Sequence, residues 1–299
     1  MKKILFPATN RVHLARQGIL IGELKKHFDV YAESYQSQHG GILNTVADCA
    51  NHFRHVIKEN KFDLVLVRGD RFEVLPIAML AAYSNIPVAH IEGGDLSGAI
   101  DNKVRYAITS LADIHFSTNK ESFARLIKMG TDPDWTFNFG SLDVEYAKSI
   151  PVSETRDYVV ICFHPMPGEN PLLVEEIVRQ VWGGKVVVIK SNKDNGKAYG
   201  DEEFSPDEYI KLIAEARCLI GNSSSFLKEA SIFGTPVVNV GTRQNNRLKG
   251  ENVIDVSCDD VEIRKALEIQ LERFYDPSEL YYKPETSKRI CEKIKKFLG

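Results

Sequence analysis

Short apolar runs recur along the chain, and longer helix-like stretches separate them. The runs predict strands at Lys3–Pro7, Asp29–Ala32, Leu64–Val67, Val88–Ile91, Ile114–Ser117 and Thr136–Phe139. A second series predicts strands at Tyr158–Phe163, Val186–Ile189, Cys218–Ile220, Val237–Val240 and Val253–Asp255. Length and β-branched content carry these assignments, because periodicity alone does not separate a buried strand from a buried helix segment. Helices are predicted at Ala15–His27, Leu43–Asn60, Leu75–Ser84, Asn102–Ala112, Lys120–Lys128, Pro171–Val181, Pro206–Ala216, Ser224–Phe233 and Thr286–Leu298. Continuous apolar strands alternating with helices indicate parallel sheets covered on both faces.

The alternation breaks at the polar, proline-containing segment Ser149–Asp157, and a second βα series starts at Tyr158. The expected fold is α/β, with two Rossmann-like doubly wound domains, 1–150 and 151–299, facing a cleft. The carboxyl ends of both sheets would line that cleft, where such folds bind ligands. The last helix is expected to cross back onto the first half.

Composition changes this picture little. A chain of 299 residues, 43% hydrophobic and 26% charged, is long enough for two cores and ordinary for a soluble globular protein. The net charge of −3, with Lys and Arg scattered, argues against a nucleic-acid partner. The one dense basic cluster, Lys288, Arg289, Lys293, Lys295 and Lys296, reads as a solvated helix face. No apolar run reaches membrane-spanning length, and the first residues lead straight into a strand, so a cytoplasmic location is expected. The five cysteines form no CxxC pair, which fits buried free thiols in a reducing compartment.

The richest stretch for chemistry is Gly221-Asn-Ser-Ser-Ser-Phe-Leu-Lys-Glu229, a strand opening into a loop and then a helix. Bare N–H groups and the helix dipole suit phosphate there, and Ser223, Ser224 and Ser225 add hydroxyls. Glu229 lies far enough along to reach a neutral hydroxyl such as a ribose, which suggests a nucleotide-linked ligand. In the first half, Asp70 beside Arg71 follows one strand, and it is either a base held ionised or a helix cap. Glu92 ends the next strand before two glycines; His90 can be a core histidine, and Asp95 a loop or cap residue. Asp101 and Arg105 share a helix face, the spacing of an ordinary ion pair. Asp70, Glu92 and Asp101 nonetheless all follow consecutive strands, and converging carboxylates would raise the pKa of one. His164, set by Pro165 at a strand end, can donate to a diphosphate or polarise a leaving group. Arg11 and Arg16 after the first strand are candidate phosphate contacts, and Arg243 and Arg247 lie in a polar loop near the serines. The chain lacks GxGxxG, the P-loop and any metal-ligand spacing, so no nucleotide cofactor and no metal is expected.

Taken in order, GDRFE, HIEGG, SGAID, HP, GNSSS with FGTPVVN, and GTRQ with GENV resemble the hydrolysing UDP-N-acetylglucosamine 2-epimerases. The blocks cover most of residues 1–17, 62–148 and 158–256. The resemblance implies a glycosyltransferase-B-like architecture and release of UDP with inversion at C2 through a 2-acetamidoglucal. It implies Asp70, Glu92, Asp101 and His164 as catalytic groups. It implies Arg11, Arg71, Arg105, Ser223, Ser224, Glu229 and Arg243 as substrate or UDP contacts, with Asn192 in a segment that matches in part. It also implies a UDP-sugar as the partner, no cofactor, and a homodimer or homotetramer.

Three departures stand out. The chain is shortened between Val30 and Ala47, where His39 is the candidate for the family's loop histidine. It is shortened again around Asn192–Asp207, and Asp95 stands where the family carries a glutamate. A UDP-diacetamido sugar substrate, a non-hydrolysing epimerase, a glycosyltransferase of the same fold and a binding protein without turnover are the alternative readings.

Overall fold

Leu64–Arg68 is five buried residues long, and its side chains alternate between two cores. Leu64 and Leu66 join Ile4, Leu20 and Leu24 on one face. Val65 and Val67 join Phe53, Val56 and Ile77 on the other. A strand buried on both faces has no polar side to show water, which is why its sequence is an apolar run rather than an alternation. The structure is a computed structural model that describes residues 1–8, 11–35, 41–98, 100–191, 199–200 and 202–299, without the side chains of 11–13.

The first sheet contains β1 (Lys3–Leu5), β2 (Asp29–Tyr31), β3 (Leu64–Arg68), β4 (Val88–Ile91), β5 (Ile114–Ser117) and β6 (Thr136–Asn138). Its order is β2-β1-β3-β4-β5-β6, parallel throughout. The second contains β7 (Tyr158–Cys162), β8 (Lys185–Val188), β9 (Cys218–Gly221), β10 (Val237–Val240) and β11 (Val253–Val256). Its order is β11-β10-β9-β7-β8, again parallel. In each sheet the winding reverses beside the first strand, between β1 and β3 and between β7 and β9. Ligands of doubly wound sheets bind outside the strand ends at such switch points.

Contacts divide the chain into two units. One is Met1–Tyr146 with Tyr282–Gly299, and the other is Ala147–Tyr281. In the first unit, the C-terminal helix Thr286–Leu298 inserts Ile290, Cys291 and Ile294 among Ile4, Leu20, Leu24 and Phe28. The Ser287 N–H donates to both Glu145 carboxylate oxygens at 3.1 Å, fixing that helix's first turn. Two cations of the expected solvated face instead cover aromatic rings. Arg289 lies 4.4 Å from the Phe139 ring centre and Lys293 4.7 Å from that of Phe137. In the second unit, Val159, Ile161 and Phe163 pack against Val174, Ile177 and Val178 and against Ile263, Ala266 and Leu267.

The helices depart from expectation in four places. The segment after β1 forms two short helices, Arg11–Arg16 and Gly18–Lys25. Leu142–Ser149 and Asp260–Glu272 are helices that the pattern did not flag. The helix expected at Ser224–Phe233 is one α turn, Ser224–Lys228, followed by a 3-10 turn, Ala230–Phe233. No described helix is long and apolar enough to cross a membrane. Among the described residues, no group of three or more His, Cys, Asp or Glu is placed to hold a metal ion. All five cysteines are free, and four are buried.

Truncating a fully buried contact of the last helix, Ile294→Ala, should cost about 2–5 kcal/mol in urea unfolding. A loss below about 0.5 kcal/mol would show that this helix is not part of the first core. Burial holds the ring of His90 down to about 4, and that of His115 likewise to about 4. An unfolded histidine titrates near ~6.5, so between these values the unfolded chain binds protons that the folded one does not. The stability linked to these rings is therefore complete above about pH 6.5 and is lost as pH falls toward 4. Urea midpoints measured from pH 7 to pH 5 should fall, and His115→Asn should flatten part of that slope.

Candidate active site

In the first unit, β3 and β4 end in register, Arg68 opposite Ile91. The residues that follow both strands therefore emerge side by side at one sheet edge. Asp70 does not cap a helix, because the next helix starts at Val74 with Glu73 before it. Its carboxylate pairs with the buried guanidinium of Arg105. Arg105 also donates through Nη1 to the Asp95 carbonyl at 2.6 Å and to Asn102 Oδ1 at 2.9 Å. Three acceptors thus fix one cation on the helix Asp101–Leu111, and Asp101 opens that helix. Arg71 turns to Glu73, at 3.2 and 3.0 Å.

Glu92 follows β4 with φ 69°, a left-handed conformation that is strained in a residue with a side chain. Its Oε1 accepts from Arg68 Nε at 3.1 Å and Nη2 at 2.8 Å. Arg68 Nη2 also pairs with Asp143 at 2.6 Å, and Asp143 lies 3.4 Å from Arg16 Nη1. Burial works against charge on Arg68, but Asp143 and Glu92 together hold its guanidinium above the ordinary range. Asp70 and Glu92 therefore each face a guanidinium, which favours the ionised form over a shared proton.

His90 is a core histidine. Its Nε2 lies 2.9 Å from the Gly69 carbonyl, which only accepts, so Nε2 carries the proton and Nδ1 accepts from Thr109 at 3.2 Å. Asp95 is buried and accepts from Thr118 at 2.8 Å, Asn119 at 3.2 Å and Ser122. It anchors its loop to the start of the helix Lys120–Lys128.

In the second unit the organising side chain is Asn222, fully buried just after β9. Its Oδ1 accepts the His164 N–H at 2.7 Å, and its Nδ2 donates to the His164 carbonyl at 2.9 Å. Its own carbonyl accepts from Arg243 Nη1 and from Gln244 Nε2, both at 2.9 Å. One residue thus joins the tips of β7, β9 and β10 through its side-chain amide and its main-chain carbonyl, which places His164, the serine loop and Arg243 together. Two glycines allow the close approach. At Gly221 a Cβ would collide with the Cys162 carbonyl, and at Gly241 with the Glu169 carboxylate, which accepts the Thr242 N–H at 3.0 Å.

Ser223 and Ser225 share a hydrogen bond of 2.9 Å, and Ser225 meets the Tyr209 hydroxyl. Ser224 opens an α turn of only five residues, so the dipole at the serine loop is weaker than the expected ten-residue helix would give. Glu229 is 1% exposed. The Arg11 side chain, Asn192 and His39 lie outside the described residues.

The sequence did not single out Arg68, Asp143, Asn222, Glu169 or Tyr209. Arg68 carried a readable signal, a cation ending an otherwise apolar strand. Asn222 carried a weaker one, its place directly after Gly221. Asp143, Glu169 and Tyr209 had none, because their partners are distant in sequence.

The family model for UDP-N-acetylglucosamine 2-epimerase matches residues 20–295. The chain is 29% identical over 301 residues to the polysialic acid biosynthesis protein P7 of Escherichia coli, covering 88% of this chain and 77% of that protein. It is 30% identical to the hydrolyzing UDP-N,N'-diacetylbacillosamine 2-epimerase of Legionella pneumophila, covering 74% and 67%. Its fold is similar to the crystal structure of the Methanocaldococcus jannaschii UDP-GlcNAc 2-epimerase in complex with UDP-GlcNAc and UDP. That likeness has a TM-score of 0.80 at 17% identity, over 99% of this chain and 100% of that one. Both doubly wound units are therefore those of a known architecture, and the chain belongs to the UDP-N-acetylglucosamine 2-epimerase family.

Proposed function

We propose that this protein is a hydrolysing sugar-nucleotide 2-epimerase that converts UDP-N-acetylglucosamine and water to N-acetylmannosamine and UDP. The observation that carries the reading is the pair of carboxylates at adjacent strand tips, Asp70 with Arg105 and Glu92 with Arg68. A C2 proton is weakly acidic, so its removal needs a positioned, ionised carboxylate and stabilisation of the departing charge.

The electron pair of the broken C2–H bond forms the C1–C2 double bond while the bond from C1 to the UDP oxygen breaks. UDP leaves with that pair, and a 2-acetamidoglucal remains. Water then adds its oxygen to C1 and a proton returns to C2, giving a free sugar inverted at C2. Asp70, Glu92 and Asp101 are the groups for the two proton transfers. In the second unit, Arg243, Ser223 and Ser224 would take the diphosphate, Glu229 the ribose, and His164 the leaving oxygen. Arg16, Arg71 and Arg105 complete the cationic set, and Asn222 keeps the UDP groups in register. Hydrolysis is supported by the Legionella relative, whose name states it. The same relative supports a second reading, in which the sugar is a UDP-diacetamido hexose.

Incubated with UDP-N-acetylglucosamine and no acceptor, the protein should release UDP and free N-acetylmannosamine. Recovery of UDP-N-acetylmannosamine would indicate the non-hydrolysing reaction, and an absolute need for an acceptor would indicate a glycosyltransferase. Faster UDP release from the diacetamido substrate would favour the second reading. Asp70→Asn should lower turnover by about 10²-fold or more while UDP affinity holds. Unchanged turnover in that variant would remove Asp70 from the chemistry.

A further inference from the structure

We propose that Arg68 and Asp143 are positioning residues: the buried guanidinium fixes the Glu92 carboxylate at the tip of β4, and Asp143 holds that guanidinium in place. This inference rests on the epimerase reading above. Arg68 is 8% exposed and Asp143 6% exposed, so neither acts from solvent. Both Arg68 contacts to Glu92 fall on one oxygen, Oε1, through Nε at 3.1 Å and Nη2 at 2.8 Å. Two donors from one planar fork converge on that oxygen and fix its position at the strand tip. The bond from Nη2 to Asp143 at 2.6 Å stops the fork from turning, and Arg16 at 3.4 Å balances the second carboxylate.

Stability alone is a poor explanation for this cluster. Buried ion pairs are often matched or surpassed by apolar side chains of similar size. Here Arg68 Nη1 is also buried with no hydrogen-bond partner among the described residues, which is a desolvation cost. Glu92 adds a strained left-handed backbone at the same point. Burying an unsatisfied donor beside a strained carboxylate makes sense where the carboxylate must be held in one orientation and kept charged. The charged and titratable groups set around Glu92 are Arg68 from β3, Asp143 from the helix Leu142–Ser149 and, through it, Arg16 from the helix Arg11–Arg16. His90 on the same strand, itself influenced by His115 on β5, is a further titratable neighbour.

The test compares Arg68→Gln, Arg68→Lys and Asp143→Asn with the wild-type protein by two readouts. The first is the pH profile of UDP release from UDP-N-acetylglucosamine. The second is a carboxyl ¹³C NMR titration of Glu92, assigned by the signal that Glu92→Gln removes. With Arg68→Gln, turnover should fall about tenfold or more, mainly in kcat, and the acid limb should move up by about one pH unit. The Glu92 signal should titrate higher by the same amount. Arg68→Lys should recover part of both effects. Asp143→Asn should slow turnover without moving the Glu92 titration upward, since Arg68 then serves Glu92 alone. A slower Arg68→Gln whose acid limb and Glu92 titration match the wild type would overturn the proposal, leaving Arg68 a purely structural residue. If the wild-type protein releases no UDP, the epimerase reading fails, and the Glu92 titration still decides between these outcomes.

Discussion

A buried guanidinium needs its counter-charges in place, and the candidate site of the first unit is organised by two of them. Arg105 is 2% exposed and Arg68 8% exposed. Neither could be left unpaired in that environment without a loss of several kcal/mol. Each therefore draws carboxylates to it, Asp70 to Arg105 and both Glu92 and Asp143 to Arg68. The carboxylates that carry the proposed chemistry are placed by the cations behind them. The strand tips supply only the approximate location.

The second unit solves the same problem of alignment with neutral groups. Asn222 uses both ends of one amide to bind the backbone of His164, and its own carbonyl receives Arg243 and Gln244. A neutral hub adds no carboxylate of its own to a site proposed to receive a diphosphate. The glycines on either side matter for packing. A Cβ at Gly221 would push β9 away from β7 at Cys162, and one at Gly241 would displace the Glu169 carboxylate.

The strands were legible in the sequence because burial on both faces writes itself as an unbroken apolar run, as in Leu64–Val67 and Val159–Ile161. Helix limits were less so. Asp259 caps Asp260–Glu272 by accepting from the N–H groups of Val261 and Glu262, the local signal that marks this helix start. The break after Lys228 carried no comparable mark. Motif positions such as Asp70, Glu92, His164 and Ser223 could be named from strand ends and the family pattern. Their partners could not, because the pairing of Arg105 with Asp70 depends on how the helix Asp101–Leu111 docks on the sheet. Asp143 and Glu169 reach their partners across long sequence separations, and nothing local in the sequence points there.

Proton removal at C2 is the step that the two guanidinium-paired carboxylates are proposed to serve, and it separates this chemistry from simple hydrolysis or transfer. The most direct measurement is the sugar product formed from UDP-N-acetylglucosamine in heavy water. A single solvent-derived deuterium at C2 of the released sugar is the expected result. Release of UDP with the original hydrogen still at C2 would contradict it.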